Sequence, residues 1–328
     1  MTRTFARSTA LLRVTLALVV AAAAAPALQA QDTNIMVPTP LIEKRLSKDT
    51  FLVMSTRGSR RPGDRTQRVI IAFEDSSAME VKFAAFAPNG EAFNNNPRYE
   101  IAAYELQKMF LDEPLYVVPP TLARAFNLDW YKGTFDPGVK STFGKTTSVL
   151  ATLQYWLGSV TNDTMQVFNL KRFDIDTAYA RRLGNLNLLT YLIKHNDANL
   201  GNILISTNST NPRLFSVDNG VAFAGEESDR GTIWRELRVP RVPASTIERL
   251  RAITREDLDR VLGVLAEWEI KDGVFVPVEK TENSSRGRGV RKSDTRLQIG
   301  LTRLEIDGVD QRLKQLLRRV DGGRLKTF

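Results

Sequence analysis

The 328-residue chain contains no cysteine. Disulfides, thiolate metal sites, a thiol nucleophile and an anchoring lipidated cysteine are therefore excluded together. Histidine occurs once, at His195. Beyond the first 30 residues no apolar run approaches the roughly 20 residues that a membrane-spanning helix needs. No internal repeat and no nucleic-acid-binding module is present, and the basic residues are spread rather than striped. The basic excess is mild: the formal net charge is +9, and without Arg3, Arg7 and Arg13 it is about +6. That excess suits phosphate-bearing ligands or anionic surfaces without selecting one. With 42% hydrophobic and 25% charged residues, the composition is that of a globular protein, long enough for two lobes with separate cores.

The N-terminus has the layout of a secretory signal peptide. MTRTFARSTALLR is positive and acid-free, VTLALVVAAAAAPA is apolar, and ALQAQDTN supplies small residues before a polar break. Ala30 or Ala27 is the expected last residue removed, and the mature protein is expected to be exported, periplasmic or secreted. The apolar run from Val14 to Ala25 is too short to span a bilayer. No transmembrane segment is expected once residues 1–30 are gone.

Residues 31–49 read as an extended lead-in. TFLVMS, RVIIAF and MEVKFAAFA then alternate as strands, joined by the link RGSRRPGDRTQ and the turn EDSSA. The link lacks the spaced glycines of a phosphate-cradling loop. RYEIAAYELQKMFL reads as a helix bounded by Pro97 and Pro114. The expected fold is α+β and two-lobed: a small antiparallel strand-rich lobe with one helix over 50–120, then a connection and a mostly α-helical lobe over 121–328. In the second part DIDTAYARRLGNLNLLTYLIKH is a strong helix, and NILIS and RLFSVD form a hairpin across TNSTNP. Thr254 and Asp257 suggest a capping box, and Val309, Leu313, Leu316, Leu317 and Val320 lie at core spacing in a last helix that stops at Gly322-Gly323. The stretch from Arg286 to Arg296 reads as a solvated basic loop.

The chemistry gathers around HNDANLGNILIS, from His195 to Ser206. Asp197 follows a helix, Asn202 opens the hairpin, and Asp218 ends its second strand. A hairpin returns the chain to its start, so the three converge at one end. Two carboxylates and an amide oxygen are hard ligands that suit Mg²⁺ or Mn²⁺ bridging phosphates. Upstream, Lys82 sits inside an apolar strand, where a lysine needs a partner or a ligand. Glu100 on the next helix is the candidate partner, with Glu105 as a rival on the same helix. Taken singly, each of these residues is accounted for by a turn, a strand edge or a helix end. Their order, namely strand lysine, helix glutamate, Asp-x4-Asn loop, hairpin and terminal aspartate, is the order of parts in a kinase.

TQRVIIAF, EVKF, EIAAYELQKMF with VVPP, and LLTYLIKHNDANLGNILI with LFSVDNGVAF together resemble the secretory-pathway kinase family, the Golgi casein kinase group, and its bacterial relatives. More distantly the chain is similar to HipA-type and phosphatidylinositol kinases. The resemblance covers roughly residues 66–120 and 185–225. It implies an ATP- and metal-dependent kinase that acts on a hydroxyl of a protein, sugar or lipid acceptor. In that role Lys82 and Glu100 serve the nucleotide phosphates, Asp197 is catalytic, and Asn202 and Asp218 hold Mg²⁺ or Mn²⁺. His195, two residues before Asp197, would orient the loop. The chain has Ala198-Asn199 after the aspartate where animal members carry Arg-His, and asparagine at 202 where they carry glutamate. A non-catalytic binding module and an AMP-transferring enzyme on the same fold remain as alternatives.

Overall fold

The structure, a computed structural model, describes residues 32–59, 66–91, 96–199, 201–223 and 231–328. The expected leader and its cleavage positions lie outside the described residues. The first described element corrects the extended lead-in, because Thr39–Ser47 is a helix, α1. Proline is tolerated in the first turn, where an amide hydrogen has no helical partner, so Pro40 does not forbid it. Ile42 and Leu46 are one turn apart and fully buried, which gives the helix a face to bury.

Strands β1 (Leu52–Gly58), β2 (Thr66–Ala72) and β3 (Ala78–Ala85) form the expected antiparallel meander. Helix α2 (Pro97–Lys108) follows, then β4 (Thr121–Asn127), α3 (Leu128–Thr134) and β5 (Ser148–Tyr155). The sheet order is β1-β2-β3-β5-β4, and all pairs are antiparallel. The strand-rich unit therefore does not end at residue 120: β5 crosses to lie between β3 and β4 and completes the sheet. One sheet face is apolar. Val69, Ile71, Val81, Phe83 and Leu153 are fully buried there, in one core with Ile42 and Leu46 of α1. Period-2 alternation puts Arg68, Glu80 and Lys82 on the opposite face.

The chain continues through β6 (Val160–Thr161), α4 (Thr164–Val167), α5 (Leu170–Ile175) and α6 (Thr177–Leu192). Asp176 caps α6 by accepting from the Tyr179 amide at 2.9 Å. The expected hairpin is present as β7 (Ile203–Ser206) and β8 (Leu214–Ser216), with Ile203 opposite Ser216. Then come α7 (Thr232–Arg235), β9 (Arg241–Val242), α8 (Ala244–Arg251) and α9 (Arg255–Leu262). The capping box of Thr254 and Asp257 opens α9.

The C-terminal part is less helical than the sequence suggested. β10 (Ala266–Lys271), β11 (Val274–Pro277), β12 (Val290–Lys292) and β13 (Arg296–Ile299) form a second antiparallel sheet, ordered β11-β10-β13-β12. Its first turn is Asp272-Gly273, with φ of 51° and 79°. A two-residue hairpin turn of this type needs positive φ at both positions, which Asp-Gly supplies. The stretch expected as a solvated basic loop contains β12 and the buried Arg291, which donates to the Gly263 carbonyl at 2.7 Å. Helix α10 (Arg303–Asp321) closes the core with Ile306, Val309, Leu313 and Leu316, and β14 (Lys326–Thr327) pairs in parallel with β9. The whole is a mixed α+β fold. Among the described residues no helix is long and apolar enough to cross a membrane.

Replacing Leu46 by Ala removes a fully buried side chain of α1 and is expected to cost about 2–5 kcal/mol of stability. Replacing the exposed Lys48 by Ala is expected to change it by less than about 0.5 kcal/mol. Urea unfolding measures both; equal effects would contradict the packing of α1 on the sheet.

Candidate active site

Helix α2 begins where its sequence dictates: Asn96 accepts from the Arg98 amide at 3.3 Å, and Pro97 occupies the first turn. Glu100 therefore lies in the first turn. It is 3% exposed and directed at the sheet, so the helix dipole is not its only partner. Its Oε1 accepts from Lys82 Nζ at 3.4 Å, and its Oε2 accepts from the Asn219 amide at 3.0 Å. Lys82 Nζ also donates to Asp218 Oδ1. One ammonium thus joins β3, α2 and the turn after β8.

The other two candidates belong to the same network. Beyond α6, Lys194 turns the chain at φ 49°. The Asn196 amide then donates to the Val221 carbonyl at 2.9 Å, so the Asp197 loop and the Asp218 loop run side by side. Asn202 Nδ2 donates to the Asp197 carbonyl at 2.7 Å, and the Asn202 carbonyl accepts from the Val217 amide at 2.9 Å. Asp218 itself sits at φ 53°, a left-handed conformation that aspartate tolerates better than most residues. Asp197 is half-buried and the Asp218 side chain is 51% exposed. Lys82, Glu100 and Asp218 meet directly, and the loop that carries Asp197 and Asn202 is joined to the Asp218 loop by backbone hydrogen bonds. The rival Glu105 does not join them, since it pairs with Lys108 at 3.0 Å on the other side of α2.

Burial alone would lower the Lys82 pKa, but Glu100 and Asp218 outweigh it and hold the ammonium protonated well above its ordinary range. For Glu100 burial dominates. Lys82 and the Asn219 amide pull its carboxyl down, Asp218 pushes it up, and the balance is above the usual carboxylate value. One ammonium thus faces two carboxyl groups, from α2 and from the turn after β8.

Several cross-strand neighbours of Lys82 have no signal in the local sequence. Arg68, Lys82, Gln154 and Thr121 occupy one cross-strand row over β2, β3, β5 and β4. Gln154 and Thr121 are buried and joined by a 2.8 Å hydrogen bond. Arg68 pairs with Glu80 and stacks over the Trp156 ring at 4.5 Å. No local pattern announces this row, because it exists only once β5 has crossed the sheet.

Asp218 and Asn202 also answer whether a divalent cation fits. Asn202 commits its amide nitrogen to the Asp197 carbonyl, which turns its oxygen the other way. Mg²⁺ is ordinarily bound by one or two carboxylates plus phosphates and water rather than by an all-protein cage. Among the described residues no group of three or more histidine or acidic side chains gathers as such a cage. The donor set here fits the sparser kind of site, one completed by a phosphate ligand. Compared with known proteins, the chain matches no family model and no curated protein.

His195 lies two residues before Asp197. It is fully buried, and burial pushes its pKa down to about 4 against weaker upward pulls from a hydrogen bond with the Val217 backbone and from Asp197 and Asp218. A neutral buried histidine stabilises the fold fully above its unfolded value of 6.5. That contribution is lost as pH falls from 6.5 towards 4, because the unfolded chain takes up the proton first. It amounts to about 3 kcal/mol. Urea unfolding between pH 7 and pH 4 should show the loss in the parent chain and a smaller one in His195→Leu. Equal losses would place the acid sensitivity elsewhere.

Proposed function

We propose that this chain is an exported, kinase-like phosphotransferase. In this reading the strand-rich part and the part after β5 act as two lobes, and ATP binds between them with Mg²⁺ or Mn²⁺. The observation that carries the reading is the shared ammonium: Lys82 meets Glu100 and Asp218 from sequence separations of 18 and 136 residues. A structural ion pair needs one partner. Three elements that converge on one ammonium and two carboxyl groups suit a site that receives a cation and a polyphosphate.

Each residue then has a task that follows from its position. Lys82 lies on the sheet face above the cluster, where its ammonium offsets phosphate charge, and Glu100 fixes its direction. Asp218 and Asn202 would hold the metal, which neutralises charge on the phosphates when bound. Asp197 is half-buried, its carboxylate accepts from the Asn199 amide at 3.1 Å and its carbonyl from the Asn202 amide at 2.7 Å, and in this reading the carboxylate would orient an acceptor hydroxyl. In the transfer, the acceptor oxygen forms a bond to the γ-phosphorus as the bond to the β,γ-bridging oxygen breaks. The hydroxyl proton leaves toward Asp197, and ADP departs.

Thermal melting of the chain from Gln31 onward, with ATP and Mg²⁺ or Mn²⁺, is expected to show a metal-dependent rise of about 5 °C at saturation. Asp218→Ala should abolish the rise. Asp197→Asn should keep it and reduce phosphoryl transfer by about 100-fold or more. No metal-dependent binding by folded protein would remove the reading. Binding without turnover, unaffected at Asp197, would leave a non-catalytic nucleotide module, and release of pyrophosphate with AMP on the acceptor would make the enzyme an AMP transferase.

A further inference from the structure

The residue two places before Glu100 makes the longest-range ion pair of the region. Arg98 is 6% exposed and reaches Glu305, 5% exposed and 207 positions away, in the first turn of α10. Both guanidinium amino groups donate to the two carboxylate oxygens, one of them at 2.8 Å, and the Tyr99 hydroxyl donates to the same carboxylate at 2.5 Å. Glu305 also accepts from the Thr302 amide at 2.7 Å, so it is fixed in place by the capping box of α10. A planar bidentate pair constrains direction as well as distance. Gly289 completes the enclosure, since a Cβ there would lie 2.4 Å from the Arg98 guanidinium.

The consequences for α2 are geometric. Its first turn is held at three points: by Asn96, whose amide donates to the Gly220 carbonyl at 2.8 Å; by Glu100, on Lys82 and the Asn219 amide; and by Arg98 and Tyr99, on Glu305. The first two attachments belong to the candidate site itself. The third reaches α2 from the C-terminal segment. Tyr99 also packs against Phe223, with ring centroids 5.4 Å apart, which extends the contact to the segment after Asp218.

We propose that Glu305 is a positioning residue, and that the C-terminal segment clamps α2 through Arg98 so that Glu100 stays on Lys82. The proposal rests on the phosphotransferase reading for its effect on nucleotide, but not for its effect on Glu100. The Asn219 amide, bound to Glu100 Oε2, reports the position of that carboxylate without any ligand.

Hydrogen exchange at the Asn219 amide tests the clamp, in the parent chain, in Glu305→Gln and in the double variant Arg98→Met with Glu305→Leu. The double variant replaces the pair by apolar groups and so avoids leaving a buried charge alone. Exchange at Asn219 should accelerate about tenfold in both variants, the scale on which packed neighbours modulate one another. Affinity for ATP with Mg²⁺ should weaken by a similar factor, whereas Glu91→Gln, which alters only the exposed partner of Arg98, should change neither. Unaltered exchange at Asn219 in folded variants would overturn the clamp. So would equal acceleration through β10 and β13, because that marks a general loosening of the C-terminal segment. Should the parent chain bind no nucleotide, the phosphotransferase reading falls, and the Asn219 exchange alone decides for or against the clamp.

Discussion

Lys82 sits in a sheet where burial alone would lower its pKa, and the carboxylates that follow it inside outweigh that and hold it protonated. Glu100 arrives from α2 and Asp218 from the turn after β8. Removing either one would leave a buried charge with a single partner, and removing the lysine would leave two carboxylates facing each other. The positions of three separate elements are thus tied to one nitrogen. The left-handed backbone at Asp218 is consistent with that constraint, because the turn delivers its carboxylate toward β3 rather than following the line of β8.

Around this nitrogen the molecule divides its polar and apolar work between the two faces of one sheet. The apolar face carries α1 and the core of Ile71, Val81 and Phe83. The polar face carries the row from Arg68 to Thr121, beside α2. Period-2 alternation produces both from the same strands, so a one-residue slip of β3 would exchange Lys82 with Val81 and destroy core and cluster together. Asp197 and Asn202 depend on the cluster less directly. They are stitched to it through the Val217 and Val221 backbone, which makes the paired loops one unit with the turn that carries Asp218.

Much of the candidate site was readable because its signals are local. An aspartate after a helix, an asparagine five places on and an aspartate ending an apolar run specify a hairpin whose ends meet, and the β7–β8 register brings them together. A lysine in an apolar strand demands a partner, and the first-turn Glu100 supplied one. What stayed hidden depends on distant pairing. Gln154 and Thr121 join Lys82 only because β5 inserts between β3 and β4, and Arg98 finds Glu305 across 207 positions. Two further elements, α1 and the second sheet, do have local signals. α1 carries Pro40 in its first turn, and its helical signal is the one-turn spacing of the buried Ile42 and Leu46. The second sheet is signalled locally only by Asp272-Gly273, a strong hairpin turn between β10 and β11.

The buried three-group cluster is the claim on which the account stands, and a carboxyl titration of Glu100 by ¹³C NMR examines it most directly. In the folded parent chain Glu100 should titrate above its ordinary value of 4.5, and in a folded Lys82→Met variant it should move further up. A Glu100 that titrates at its ordinary value, or that does not respond to the loss of Lys82, would contradict the cluster and the site built on it.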